Sequence, residues 1–390
     1  MTLLTQSPSA SPVRNPGIDL LRGVSILLVI LNHIGLRIRL VDGVLAGLLP
    51  SQFLNEINFN GYEAVFLFFV ISGFLITSHT LSRWGRLGSI DARAFYARRA
   101  ARILPCLLAL VAVLSLLHLG GVHDYVISEP GQSLPRAVIS ALGLHLNWYE
   151  GLTGYLPASW DVLWSLSIEE VFYLAFPLVC LVLHKNWLLV PSLCILAASL
   201  PVSLASIVGN PIWREKAYLP GMSAIAVGAL AALLAARLTP AHRFVPRAFL
   251  VFGLAGVVAV LGFEQQLWPW LKYGVILLLA ASAACLILAF HWHTVRVSGW
   301  TVPATGWLRS LGRMSYEIYL THMFVVLSVV KLYKRFGGGP QWGLLWYPPA
   351  LAGSWALGWL VARYFSEPAE RMLRRRLLKT APRELPQPVA

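Results

Sequence analysis

Of 390 residues, 57% are apolar and 12% charged, about half the charged share of a soluble domain, and the mean hydropathy is +0.67. That excludes a sizeable soluble domain, because runs of about 18 or more apolar residues, each able to cross a hydrocarbon layer about 30 Å thick, recur throughout. The net charge of +14 implies no nucleic-acid partner, since membrane proteins collect Lys and Arg in their cytoplasmic connections.

Residues 1–17, rich in Ser and Pro and lacking the basic start and short apolar core of a cleavable signal peptide, read as a disordered cytoplasmic tail. The expected fold class is all-α, a polytopic membrane helix bundle of about ten transmembrane helices. They fall near 18–36, 63–81, 103–121, 166–184, 187–207, 218–236, 248–264, 272–291, 314–333 and 346–365. A weaker apolar stretch at 135–147 carries Arg136 and His145 and reads as a short interfacial or re-entrant helix. With ten spans and both termini cytoplasmic, 22 of the 31 Lys and Arg lie inside and 9 outside; an eleventh span would move the basic C-terminus outside. One membrane domain covers 18–370. Residues 371–390, with Arg374, Arg375, Arg376 and Lys379, form a basic cytoplasmic tail that is solvated or touches lipid headgroups.

Cys106, Cys180, Cys194 and Cys285 fall inside apolar runs without metal-like spacing and read as packing residues, so neither a disulfide framework nor a metal cofactor is expected. No repeat period of the kind found in inverted-repeat transporters is visible. The longest exterior connection, about 121–165, holds Trp148, Tyr149, Tyr155 and Trp160, an interfacial belt first and a sugar-stacking surface second.

The first helix, GIDLLRGVSILLVILNHIG, carries two costly groups, Arg22 and His33. Eleven residues apart, they are separated by roughly 16 Å of rise and about 20° of rotation, and share one face. An always-charged guanidinium suits phosphate, and an imidazole suits proton transfer near neutral pH. Taken alone, Arg22 reads equally as a snorkelling topology signal and His33 as a packed polar residue.

Arg-x10-His in a first helix beginning with Asp19 resembles the acyltransferase-3 family of membrane O-acyltransferases. Further segments agree in order: Phe69-Val-Ile-Ser72-Gly73-Phe74; Phe95 with Arg98, Arg99, Arg102, Ile103 and Pro105; Trp164-Ser-Leu-Ser-Ile-Glu169; Ser315-Tyr316 with Tyr319 and His322; and Glu367-Pro368. The resemblance runs from about residue 17 to 371. Some members carry a second, exterior hydrolase-like domain after the last helix; this chain is expected to lack it.

The resemblance implies transfer of an acyl group, commonly acetyl, from cytoplasmic acyl-CoA as co-substrate. The acceptor is a hydroxyl of a cell-envelope or lipid-linked carbohydrate, or of a glycosylated metabolite. Arg22, Arg98, Arg99 and Arg102 are then expected to hold the CoA phosphates, although arginines in a cytoplasmic loop also serve orientation alone. His33 is expected either to take the acceptor proton or to carry the acyl group covalently. Glu169 is expected to orient that imidazole, stabilise its protonated form, or bind the acceptor. Ser315, Tyr316, Tyr319 and His322, along one helix face, are expected to support the site. Ser72, Gly73 and Phe74 are expected to permit close packing or a passage for pantetheine. The competing expectation from another class is a proton-coupled transporter using Arg22, His33 and Glu169 as a relay.

Overall fold

The computed structural model describes residues 14–183, 186–297 and 302–379. Most of the expected N-terminal tail, and the chain beyond 379, lie outside these residues. Regular structure among the described residues is helical throughout.

Helix α1 (Pro16–Gly35) starts where sequence chemistry dictates. The Asn15 side chain accepts from the Gly17 and Ile18 N–H groups, and Pro16 occupies the first turn, where a missing N–H costs nothing. The other long helices are α2 (Gly61–Trp84), α3 (Ala92–Leu119), α4 (Leu163–Val182), α7 (Tyr218–Arg237), α8 (Phe244–Leu271), α9 (Gly274–Arg296) and α10 (Ser315–Arg335). Between α4 and α7 lie α5 (Asn186–Ala198) and α6 (Leu200–Ser206), meeting at 45°. By length and apolarity the described residues hold eight spans, or nine if the bent pair is one, against about ten expected. The stretch at 135–147 forms parts of two short helices, Leu134–Leu142 and Leu146–Thr153.

Two contacts settle the parity. Arg22, near the start of α1, bonds Ser315 at the start of α10. His33, in the last turn of α1, meets His322 further along α10. The two helices therefore run parallel, which requires an odd number of traverses between them, so the bent pair counts as one. Beyond α10, α11 (Tyr347–Val361) has only 15 residues, but a five-residue π-helical segment, Ala362–Ser366, continues it. Together they span about 30 Å at 1.5 Å per residue. Helix α12 (Glu367–Lys379) then packs along α3, where Glu370 reaches Arg102. This tenth traverse returns the chain to the end of the bundle that holds Arg22. Residues 371–379, expected as tail, are helical.

Helices α2 and α7 approach backbone to backbone. A Cβ at Gly73 would collide with the Ile225 carbonyl, and one at Gly228 with the Val70 carbonyl, so glycine sets this spacing.

Candidate active site

A cavity of about 1080 Å³ opens at the Arg22 end, walled by α1, α2, α3, α4, α10 and α12. That is the upper end of the usual size for ligand sites, about 300–1,000 Å³. Arg22, Arg83, Arg98, Arg99, Arg102 and Arg374 face Glu169, Glu170 and Glu370 across it, so cations exceed anions. The arrangement follows from helical spacing. Arg98 and Arg102 are i and i+4 on the first turns of α3, which Asp91 caps by accepting from the Ala94 N–H. Ser165, Glu169 and Tyr173 line one face of α4, while Ser315, Tyr316 and Tyr319 come from the first turns of α10.

The expected phosphate ligands are held in different ways. Arg22 donates from Nε and Nη2 to the Ser315 hydroxyl, at 3.1 and 2.8 Å. Arg99 lies 3.5 Å over the Tyr173 ring with Glu170 at 3.5 Å. Arg102 is gripped bidentately by Glu317, at 2.8 and 3.3 Å, and reached by Glu370 at 3.5 Å. Its charge is largely countered within the protein, which reduces its pull on an outside anion.

The structure redistributes the catalytic candidates. Glu169, expected to orient the imidazole of His33, to stabilise its protonated form or to bind the acceptor, lines the cavity and accepts from the Tyr173 hydroxyl at 2.9 Å, and that hydroxyl also bonds Ser72. His33 lies outside the cavity lining, with its ring centroid 5.1 Å from that of His322. Tyr319 links the two regions. It lines the cavity, its ring is 6.0 Å from His322, and its hydroxyl is pinned to Ser165 Oγ at 2.7 Å and the Val162 carbonyl at 3.0 Å. Of the residues in the transporter relay, Arg22 and Glu169 line the cavity and His33 does not. Ser72 faces the cavity, Gly73 packs on α7, and Phe74 turns to His291, centroids 5.7 Å apart. Tyr316 donates to the Ile103 carbonyl at 2.9 Å.

Sequence reasoning missed Tyr173, Glu317, Arg83 and Arg374. Tyr173 is four residues after Glu169 on a helix, a spacing that could have flagged it. It also missed an exterior cluster in which Lys216 pairs with Glu150 at 2.8 Å, both fully buried, and with Asp161. Burial pushes the Glu150 carboxyl well above its ordinary value. Of the exterior aromatics, Trp148 and Tyr155 are exposed, whereas Tyr149 and Trp160 are core.

These features define a polytopic helical membrane protein with a cation-rich cavity at one end and a histidine pair beyond the cavity's inner wall. A family model described as an acyltransferase domain matches residues 15–363, and the chain belongs to that family, the acyltransferase-3 family. It is similar to the peptidoglycan O-acetyltransferase OatA of Listeria monocytogenes, 26% identical over 316 residues, 73% of this chain and 49% of that protein. It is also similar to the O-acetyltransferase OatA of Staphylococcus aureus, 33% identical over 187 residues, 45% of this chain and 26% of that protein. The chain thus spans about half or less of the length of these curated relatives. No solved structure matches it.

Proposed function

We propose that this protein is an O-acetyltransferase of the bacterial cytoplasmic membrane, moving an acetyl group from cytoplasmic acetyl-CoA to a hydroxyl of an envelope carbohydrate. The observation that carries this reading is the cavity with six arginines and three glutamates, adjoining a histidine pair through Tyr319. A polyphosphorylated donor with a long pantetheine arm suits that polarity: phosphates by the guanidiniums at the cytoplasmic end, thioester toward His33. Charge bias puts this end inside. Peptidoglycan is the first acceptor to try, because the Listeria relative's name specifies it.

In this mechanism the acceptor oxygen attacks the thioester carbonyl carbon while His33 takes its proton. The C–S bond breaks, CoA leaves as thiolate, and the proton returns to the sulfur. A covalent acyl-His33 is the alternative order of events. Purified protein given radiolabelled acetyl-CoA and peptidoglycan fragments tests the reading, with other envelope glycans in parallel. Label on a glycan, lost in His33→Ala, is the expected result. No label on any glycan overturns the reading, and label unaffected by His33→Ala removes His33 from the chemistry. Label retained on the protein without acceptor, and absent from His33→Ala, selects the covalent route.

A further inference from the structure

His322 is completely buried, and its Nδ1 faces two backbone carbonyls, of Tyr319 at 2.9 Å and Ile318 at 3.2 Å. A carbonyl oxygen only accepts, so Nδ1 carries the hydrogen, and in the neutral ring the lone pair is on Nε2. That Nε2 is buried and without a hydrogen bond. On the neighbouring ring of His33, its centroid 5.1 Å away, Nδ1 is also buried and without a hydrogen bond. Leaving two buried polar atoms unsatisfied costs about 1–3 kcal/mol each, and one acceptor beside one potential donor is the arrangement that would satisfy both.

We propose that His322 is the positioning residue for His33, a deepening that rests on the function proposed above. The carbonyls of Ile318 and Tyr319 hold the Nδ1–H of His322; His322 Nε2 accepts the Nδ1–H of His33; and the lone pair of His33 is thereby placed on Nε2, toward the reacting groups. Two tautomers are set in series by the backbone of α10. This is the role an orienting carboxylate plays in a nucleophile–base–acid triad, performed here without a buried charge, which membrane-depth surroundings penalise. In the free protein one bridging water completes the bond, which shortens further when the rings tighten around substrate. No proton need reach His322: the acceptor's proton goes to His33 Nε2 and from there to the departing thiolate, while the Nδ1–H stays shared with His322.

The test combines kinetics with imidazole nitrogen NMR on selectively labelled full-length protein in nanodiscs. His322→Phe keeps ring volume but removes the acceptor. Its kcat should fall about a hundredfold or more, with the acetyl-CoA KM unchanged. His322→Gln offers an amide oxygen to His33 and should restore part of that loss. The NMR spectrum of the wild type should show His33 with hydrogen on Nδ1, and His322→Phe should shift it toward the Nε2–H form. Wild-type kcat in His322→Phe, no better rate in His322→Gln than in His322→Phe, or an Nε2–H His33 in the wild type would each overturn the assignment. The tautomer measurement requires no turnover, so it decides the pairing even if no acetyl transfer is found and the functional reading itself fails.

Discussion

Arg102 and Glu317 form a bidentate ion pair, 2.8 and 3.3 Å, whose carboxylate is 1% exposed and also accepts the Ser366 hydroxyl at 2.7 Å. The pair ties the entry of α3 to the first turn of α10 and to the π-helical segment before α12. Removing one partner of a fully buried pair costs about 3–5 kcal/mol; the Arg102 side chain is 30% exposed, so Arg102→Ala should cost about 1–3 kcal/mol. Thermal unfolding in detergent measures this, and an unchanged midpoint would show that the pair contributes nothing. Lost transfer in Arg102→Ala would then report a damaged scaffold as much as lost donor binding.

Arg22 is the contrasting case, because its two bonds go to a hydroxyl and not to a carboxylate. Its charge is available to an incoming anion. Arg22→Ala should remove about 1.5–3 kcal/mol of charged hydrogen bonding, on the order of a ten- to hundredfold weaker CoA affinity. Arg22→Lys keeps the charge but loses the fork, and should recover only part. Calorimetric titration with CoA checks the series, and equal affinity across it would exclude Arg22 from the phosphate site.

Tyr173 presents its hydroxyl to Glu169 and Ser72 and its ring to Arg99. Tyr173→Phe separates these roles. The ring stays under the guanidinium, so the acetyl-CoA KM should hold, while Glu169 loses a donor and kcat should fall by about tenfold, corresponding to a hydrogen bond to a charged group. In Tyr173→Leu, KM should rise as well, because the cation–π contact contributes about 0.5–2 kcal/mol. Steady-state kinetics showing the two variants alike would dissolve the distinction.

What was legible in the sequence was what periodicity and composition carry. The shared face of Arg22 and His33, the arginines entering α3, and the non-spanning stretch at 135–147 all follow from helical geometry and hydropathy. Contacts between helices far apart in sequence were not legible. Nothing local pairs Arg102 with Glu317 or sets His33 beside His322; those follow from which faces of α1, α3 and α10 turn inward. The shortfall in spans has a similar origin, since the 45° bend between α5 and α6 and the π-helical segment after α11 interrupt regular helix without interrupting apolar sequence.

Tyr319 stands between the arginine-lined cavity and the histidine pair, pinned by Ser165 and the Val162 carbonyl. Its ring should exclude water from an acetyl thioester waiting for acceptor. Tyr319→Ala is expected to raise CoA release in the absence of acceptor and to lower the fraction of acetyl groups delivered to glycan. Free-thiol detection alongside glycan labelling measures both. Unchanged coupling between release and delivery would show that Tyr319 does not shield the thioester.

In the connection before α7, Lys216 lies between Glu150 and Asp161 with no exposure of its own side chain. It pins the exterior connection to the start of α7, an attachment reinforced by Asn147 donating to the Lys216 carbonyl at 2.9 Å. Lys216→Met would preserve volume but leave two carboxylates facing each other without a cation. The expected loss is about 3–5 kcal/mol of stability. Adding Glu150→Gln should recover much of it, since the fully buried carboxyl is then neutral and only Asp161, 20% exposed, lacks its cation. The pH dependence has a definite sign. Burial already holds the Glu150 carboxyl above its ordinary value, so the folded state binds its proton more tightly than the unfolded one. Stability from that proton is present at low pH and lost as pH rises through the raised value. Without Lys216 the carboxyl should rise further, so the deficit of Lys216→Met relative to wild type should shrink at pH about 5 and widen at pH about 8. Unfolding midpoints of the three proteins at both pH values decide the matter, and a deficit independent of pH would mean that the cost comes from packing alone.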